Sequence, residues 1–195
     1  RALDALGAVD AYVRITVVRG PGLGLAPTGG PPRLFVVAAT LPEAHDAAAA
    51  RGARVITVPA RFTPVLGAKT TSFAASVWAR LRAEERGFDD ALAVDGAEVL
   101  EATGANVVAL VDGVLRAPTA GALEGLTRAR VVRLARADGT PVDDSPLALV
   151  DLRRASEVAL TSSVREVVPV LAVDAHKVGE GVPGPFVTAL RARYR

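Results

Sequence analysis

The segment Gly67-Ala68-Lys69-Thr70-Thr71-Ser72 contains Lys69, one of only two lysines in this 195-residue chain; the other is Lys177. The remaining 21 of the 23 basic residues (23 less two) are arginine. Lysine can lose its proton near neutral pH and attack a carbonyl group, whereas the guanidinium of arginine stays charged. A codon bias that replaces lysine by arginine throughout the chain would also explain why lysine is so rare. Lys69 is therefore a candidate for chemistry that needs support from other parts of the chain.

The composition is that of a globular protein, with half of the residues hydrophobic and a formal net charge of +2. The charges of both signs are interspersed, so no basic patch is expected and nucleic acid is not an expected partner. The chain has no cysteine, and its two histidines, His45 and His176, lie far apart in sequence. These features exclude a disulfide framework and the usual spacing of a structural zinc site, and no metal is expected.

The apolar runs, such as residues 47–50 and 107–111, are far shorter than the ~18 to 20 residues that a membrane-spanning helix needs. No signal-peptide pattern is visible, so we expect no membrane contact and a cytoplasmic location. The chain has no methionine and opens on Arg1-Ala2-Leu3, a start that resembles the end of a helix. We expect a fragment, or a protein whose amino-terminal part is absent from this sequence.

Alternating apolar and polar residues predict two strands near the start of the chain, at residues 11–19 and at Arg33–Thr40. The glycine- and proline-rich residues 20–32 would join them as an antiparallel pair. The alanine-rich residues 41–52 predict a connection with some helix, and the next strand is expected at residues 54–59. We therefore expect a domain boundary between Leu41 and Arg54.

The clearest predicted helix covers residues 72–87 and has an apolar face formed by Phe73, Val77, Trp78 and Leu81. A second helix is predicted over Leu126–Ala137, and a closing helix begins at Pro185. Short strands are predicted at residues 91–94, 106–111, 114–115, 157–161, 167–173 and 177–178, with a hairpin turn at Asp112-Gly113 and a helical turn at residues 151–155. Because strands and helices alternate irregularly, the pattern favours the α+β class.

Four separate segments could together form a site. Lys69 stands just before a helix, and Glu101 lies 32 positions later (101 less 69), directly ahead of a predicted strand. The segment Gly125-Leu126-Thr127-Arg128 opens a helix, and Thr161-Ser162-Ser163 ends a strand. Each segment alone has an ordinary structural explanation: a strand-end acid, a helix start or a turn. Taken together in this order, with Glu101 followed five places later by Asn106, the four segments form a more specific pattern than any one of them alone.

This order resembles that of the class IV, or fold-type IV, pyridoxal-phosphate enzymes, which include branched-chain aminotransferases, D-amino-acid aminotransferases and aminodeoxychorismate lyases. The matches extend to Glu166-Val167-Val168-Pro169-Val170 and to Gly184-Pro185-Phe186-Val187, so the resemblance covers nearly the whole chain. It implies an α+β fold of the D-amino-acid-aminotransferase type. Residues 54–195 would be the large cofactor-binding domain and residues 43–53 the interdomain connection. Residues 1–42 would be the tail end of a small α/β domain whose amino-terminal part is missing.

The resemblance also implies a role for each matching residue. Lys69 would form a Schiff base with the aldehyde of pyridoxal 5'-phosphate and later carry a proton, which favours an amine that is buried. Glu101 would pair with the pyridine nitrogen and keep it protonated. The phosphate would be bound at a helix amino terminus and by nearby hydroxyl groups. These phosphate ligands are the amides of Leu126 and Thr127 and the hydroxyls of Thr127, Ser163 and Ser162.

The sequence departs from the family pattern at several positions. Phe73 stands where many members have a tyrosine near the phenolic oxygen of the cofactor, and Ala117-Pro118 replaces the commoner Thr-Pro. In the family, the small amino-terminal domain supplies an arginine to the phosphate and much of the substrate pocket. Neither of these can be assigned to residues of this sequence.

The leading functional hypothesis is an aminotransferase that moves an amino group between an amino acid and a 2-oxo acid. The runner-up is aminodeoxychorismate lyase, because Val18-Arg19-Gly20-Pro21-Gly22 resembles the turn of lyase-like and D-amino-acid-type members. A third hypothesis is a non-catalytic or incomplete fragment of such an enzyme. The expected partners are these small molecules and, by resemblance, a second copy of the chain in a homodimer.

Overall fold

A computed structural model describes residue 7 and residues 11–20, 30–41, 45–62 and 67–195. The chain divides into two compact units, Arg1–His45 and Asp46–Arg195. The helix end predicted at the start of the chain and most of the loop predicted at residues 20–32 lie outside the described residues. No helix in the described ranges is long and apolar enough to cross a membrane.

The first unit contains the predicted antiparallel strand pair, β1 (Ala11–Val18) and β2 (Arg33–Thr40). Ile15 lies opposite Val36, and Val17 lies opposite Leu34. Directly opposed residues share one face of a sheet, so these four side chains form a single apolar face. All four are exposed to solvent.

The second unit contains five helices among its described residues: α1 (His45–Arg51), which begins at the boundary, α2 (Ala74–Glu85), α3 (Leu126–Ala137), α4 (Leu149–Arg154) and α5 (Pro185–Tyr194). Its strands are β3 (Ala53–Pro59), β4 (Asp90–Asp95), β5 (Glu98–Ala102), β6 (Ala105–Val111), β7 (Val114–Arg116), β8 (Val142–Asp143), β9 (Leu147–Ala148), β10 (Glu157–Ser162), β11 (Glu166–Val173) and β12 (His176–Lys177). The main helices and most strands agree with the prediction, and the mixed architecture confirms the α+β class.

Six of these strands pair in a closed ring in the order β6, β10, β11, β3, β4, β5 and back to β6. The pairs of β3 with β11 and with β4 are parallel, and the other pairs in the ring are antiparallel. The short strands β7, β9 and β12 extend the sheet from β6, β5 and β11. Closure leaves the six ring strands without an unpaired edge, which is the arrangement of a small barrel.

Alternating side chains divide the core of this unit into an inside and an outside layer. Val55, Leu92, Val107, Val158 and Leu160 belong to the cluster that fills the ring. On the outside, α3 and α5 cover β6, β10 and β11 through a second cluster. The helix α2 covers β3 and β4 through a third cluster. The ring therefore carries helices on its outer surface, and the gap between α2 and α3 is available for a site.

The packing of α2 differs from what its sequence pattern suggested. Its large apolar residues share a face as predicted, but Phe73, Val77, Trp78 and Leu81 are all exposed. The helix instead packs on the ring through Ala79 and Ala83, which are fully buried. Small side chains let the helix backbone approach the strands closely, so the bulky residues are left on the opposite side.

Two local features show where sequence patterns were and were not sufficient. The predicted hairpin at Asp112-Gly113 is present, and both residues have the positive φ (51° and 78°) that a tight two-residue turn requires. The strand β5 was not predicted, because four of its five residues are buried and its two glutamates hide any alternation. Glu101 therefore lies within a strand, which corrects the expectation that it stands ahead of one.

Replacing a ring residue should measure how much the interior stabilises the second unit. Leu92 is fully buried, so Leu92→Ala leaves a cavity and should lower the free energy of unfolding by about 2–5 kcal/mol. Urea denaturation followed by circular dichroism measures this change. Val150→Ala, at an exposed position on α4, is the control and should stay within about 0.5 kcal/mol of the parent. Equal losses in the two variants would contradict the assignment of Leu92 to the interior.

Candidate active site

A cleft of about 200 Å³ in the second unit contains every residue that the sequence suggested for the site. These residues come from the loop before α2, from β5, from the start of α3 and from the end of β10. Their side chains or backbone line one continuous surface: Lys69, Glu101, Leu126, Thr127, Ser162 and Ser163. The fold therefore brings together positions that are distant in the sequence.

Three polar residues form a row across the floor of the cleft. Glu101 pairs with Asn106 across β5 and β6, and Asn106 pairs with Thr161 across β6 and β10. The row itself lines the cleft, whereas four residues adjacent to it along the strands belong to the ring interior: Ala102, Ala105, Val107 and Leu160. The exposed fractions of Glu101, Asn106 and Thr161 are only 6%, 5% and 1%.

Glu101 and Asn106 hold the same peptide segment from two sides. The Oε2 atom of Glu101 accepts a hydrogen bond from the amide of Leu123 at 3.0 Å, and Nδ2 of Asn106 donates to the carbonyl of Leu123 at 2.7 Å. Gly125 follows closely, and a Cβ atom at this position would lie 1.8 Å from Oδ1 of Asn106. A side chain larger than hydrogen therefore does not fit there. This contact and the two hydrogen bonds fix the start of α3.

The amino terminus of α3 opens into the cleft. Gly125 is its N-cap and makes no side-chain capping hydrogen bond, and the first turn carries no acidic residue. Leu126 lines the cleft and is 86% exposed. Thr127 is buried, and its Oγ1 lies 3.4 Å from the hydroxyl of Tyr194. The uncapped amides and the helix dipole favour an anion at this point.

The turn that joins β10 to β11 forms another wall. Ser162 pairs with Glu166, so residues 163–165 form the loop, and Oγ of Ser162 accepts a hydrogen bond from the amide of Arg165 at 3.2 Å. Glu166 has a φ of 58°, a conformation that is unfavourable for a residue other than glycine. Arg195 donates to its carboxylate at 2.6 Å. Hydrogen bonds to Asp46 and Glu166 raise the pKa of the Arg195 guanidinium above its ordinary value.

Lys69 lies at the mouth of the cleft, and its environment differs from the expected one. The resemblance favoured a buried amine, but Lys69 and its neighbours in the segment 67–72 are exposed. Phe73, which stands where many members of the family have a tyrosine, also lines the cleft and is half exposed. Among the described residues, Lys69 is therefore exposed to solvent, whereas Glu101 on strand β5 is buried.

Thr161 was not among the residues expected to form the site, although it belongs to the candidate segment Thr161-Ser162-Ser163. The Oγ1 atom of Thr161 is buried and has no hydrogen-bond partner among the described residues. Buried hydroxyl groups are nearly always paired, so an unpaired one on a cleft floor points to a ligand or water. The pairing of Thr161 with Asn106 would have identified this hydroxyl, but the sequence alone does not provide the strand register. In the same described ranges, no three acidic or histidine side chains are grouped in a way that could hold a metal ion.

Comparison with known proteins identifies relatives along almost the entire chain. The sequence model described as Amino-transferase class IV matches residues 1–173. A putative branched-chain-amino-acid aminotransferase of Methanocaldococcus jannaschii is 34% identical over 197 residues, covering 95% of this chain and 67% of the relative. A D-alanine aminotransferase of Listeria monocytogenes is 31% identical over 124 residues, covering 63% of this chain and 43% of the relative.

The fold is also similar to that of solved structures. The T.th. branched-chain amino acid aminotransferase with pyridoxamine 5'-phosphate superimposes with a TM-score of 0.90 at 32% sequence identity. The match covers 98% of this chain but 66% of that structure, so the chain spans about two thirds of the length of such a relative. The family match over most of the sequence, the shared fold and the assembled cleft agree with one another: this chain belongs to the class IV aminotransferases.

Proposed function

We propose that this chain binds pyridoxal 5'-phosphate in the cleft and transfers an amino group between an amino acid and a 2-oxo acid. One observation carries the proposal: an amine, a buried carboxylate, an uncapped helix amino terminus and several hydroxyl groups line the same cleft. The members of the family to which the chain belongs use this cofactor. When bound, the cofactor supplies a protonated ring that accepts electrons as a proton leaves the substrate carbon.

The residues of the cleft fit a molecule with an anion at one end and a ring nitrogen at the other. At the anionic end, the amides of Leu126 and Thr127 and the hydroxyls of Thr127, Ser162 and Ser163 are suited to a phosphate dianion. At the other end, Glu101 is a buried carboxylate that can hold a proton on a pyridine nitrogen. Its hydrogen bond from the Leu123 amide keeps the carboxylate oriented.

Thr161 provides an independent test of this fit. Its buried Oγ1 lacks a hydrogen-bond partner among the described residues, and Thr161 lies beside Asn106 on the cleft floor. A ligand with polar substituents on its ring would satisfy this hydroxyl. An apolar ligand would leave it unpaired at a cost of about 1–3 kcal/mol.

Lys69 would hold the cofactor aldehyde and carry the proton between substrate and cofactor. As a free amine it can do both, whereas an arginine at this position could do neither. Its exposure leaves room for the aldehyde to reach it, and the cofactor itself would then cover the amine. Lys69 is therefore the residue on which the proposed chemistry depends.

The division into domains and the assembly belong to the same proposal. Residues 54–195 would be the large cofactor-binding domain, residues 43–53 the connection and residues 1–42 part of a small domain.

We also propose a homodimer, which is supported by the resemblance and by the exposed apolar face of α2 (Phe73, Val77, Trp78 and Leu81). Large exposed apolar patches mark interaction sites. The cytoplasmic location stays a prediction from the sequence.

Substrate assays test the activity. The chain, supplied with pyridoxal 5'-phosphate, should convert a 2-oxo acid into an amino acid when a donor amino acid is present. Separate reactions with branched-chain L-amino acids and with D-alanine test the two substrate classes named for its relatives. Release of 4-aminobenzoate from aminodeoxychorismate without any oxo acid would instead support the lyase. No turnover and no cofactor binding would support the incomplete fragment.

The role of Lys69 can be tested with the other lysine as a matched control. Pyridoxal 5'-phosphate bound through Lys69 should produce a visible absorption band, which Lys69→Ala should abolish together with the aminotransferase activity. Lys177→Ala removes the remaining lysine, an exposed residue on β12, and should leave both the band and the activity unchanged. A band that survives Lys69→Ala and disappears in Lys177→Ala would refute the assignment.

The charge on Glu101 can be removed while its shape is kept. Glu101→Gln retains an oxygen that can accept the hydrogen bond of the Leu123 amide but cannot stabilise a protonated ring nitrogen. We expect kcat to fall by at least about a hundredfold, as for other preorganised electrostatic groups. Steady-state kinetics measures this loss. Glu124→Gln, a second acidic residue lining the cleft, is the control and should retain most of the activity.

The contact between Gly125 and Asn106 predicts the effect of one added methyl group. Gly125→Ala should displace the Asn106 side chain or the start of α3, and lower the affinity for pyridoxal 5'-phosphate by at least about tenfold. Absorption titration measures the affinity. Gly104→Ala is the matched control, because it also lines the cleft but has no atom within 4 Å of an added Cβ. Equal affinities of the two variants would contradict the proposed geometry.

A further inference from the structure

Asp90, at the start of β4, is a charged residue with no solvent exposure and no part in the site described above. Its Oδ1 accepts hydrogen bonds from the amide of Ala91 at 2.9 Å and from Oγ1 of Thr103 at 2.6 Å. Its Oδ2 accepts a hydrogen bond from Nη2 of Arg165 at 2.8 Å. A second guanidinium, that of Arg80 on α2, lies 3.5 Å from the same oxygen.

A carboxylate in this position must keep its partners. Burial of an unpaired charge is strongly unfavourable, whereas hydrogen bonds to a charged group are among the strongest in proteins. Loss of one partner of a buried ion pair is therefore costly even where the intact pair adds little stability. The segments that contribute Thr103 and Arg165 are accordingly held at fixed distances from β4.

Both of these segments form walls of the cleft. Thr103 belongs to the turn between β5 and β6, which joins Glu101 to Asn106, and it lines the cleft itself. Arg165 belongs to the turn between β10 and β11, and its amide donates to Oγ of Ser162. One buried carboxylate thus connects the turn next to Glu101 with the turn that carries Ser162 and Ser163.

The residues that follow Arg165, at the start of β11, are held as well. Glu166, in its left-handed conformation, is bonded to Arg195 at the end of α5, and Nη1 of Arg191 donates to the carbonyl of Val167 at 2.8 Å. Arg191 of α5 and Arg195, which follows this helix, therefore hold the start of β11, and the pair of Arg165 with Asp90 holds the last residue of the turn. Without that pair, residues 163–165 would lose the described side-chain hydrogen bond that connects them to β4.

We propose that Asp90 is a positioning residue that, through Arg165, places Ser162 and Ser163 for the phosphate group of the ligand. The inference rests on the proposed binding of pyridoxal 5'-phosphate. It assigns the effect to the phosphate end, because Arg165 belongs to the turn that carries Ser162 and Ser163 and its amide donates to Oγ of Ser162. Asp90 and Arg165 need not touch the ligand to have this effect.

The test compares two aldehydes that differ only in the phosphate, pyridoxal 5'-phosphate and pyridoxal. Absorption titration measures the affinity of each aldehyde for the parent chain and for the variants Asp90→Asn and Arg165→Met. The same titration of Lys69→Ala measures the reaction of the aldehydes with other amines, which is subtracted. Arg80→Met is the matched control, because Arg80 faces the same carboxylate from α2, and its described contacts are with Glu84 and Asp90 rather than with the serine turn. Circular dichroism and thermal unfolding establish that each variant is folded.

We expect Asp90→Asn and Arg165→Met to weaken binding of pyridoxal 5'-phosphate by at least about tenfold, and to change pyridoxal binding by less than about twofold. Arg80→Met should change neither affinity beyond that limit. If Asp90→Asn does not fold, Arg165→Met decides alone, because the Arg165 side chain is partly exposed. Equal weakening for both aldehydes, or no weakening for either, would overturn the positioning role while leaving the proposed function intact. A parent chain that binds neither aldehyde would overturn both.

Discussion

The pairing of Glu101 with Asn106 closes the strand ring, and the geometry of the cleft depends on this closure. The pair lies at the end of β5 and the start of β6, next to the turn at Thr103-Gly104, and Asn106 pairs in turn with Thr161 on β10. Because opposed residues share a face, closure places two carbonyl-containing side chains and a hydroxyl side by side. The same two side chains then hold Leu123, and through Leu123 they fix the start of α3.

The cleft combines buried polar groups with open ones, and the distinction has a physical meaning. Glu101 and Asn106 are buried and hydrogen-bonded within the chain, so their positions are set before any ligand arrives. Lys69 and the amides at the start of α3 are open to the cleft. This is the arrangement expected of a preorganised site, in which rigid partners are oriented by the fold and the groups that bind the ligand stay accessible.

Much of this arrangement could be predicted from the sequence, because local patterns and motif order both carry information. Helix α3 and strand β2 have the predicted boundaries, since periodicity and glycine stops are local signals. The six candidate residues were identified by their order along the chain, and the fold brings them to one cleft. Ring closure, the importance of Thr161 and the connection from Asp90 to Arg165 were not predicted. They depend on the pairing of strands distant in the sequence, which no local pattern encodes.

The parallel pairing of β3 with β11 has a consequence for the order in which the molecule can be built. Thr57 on β3 bonds through both its amide and its hydroxyl to Asp174, which lies 117 positions later in the chain. During synthesis, β3 and β4 can pair with each other long before β11 has left the ribosome. Until then the free edge of β3 is exposed, and unpaired strand edges promote association with other chains. The ring, and with it the cleft, can be completed only after β11 has been made.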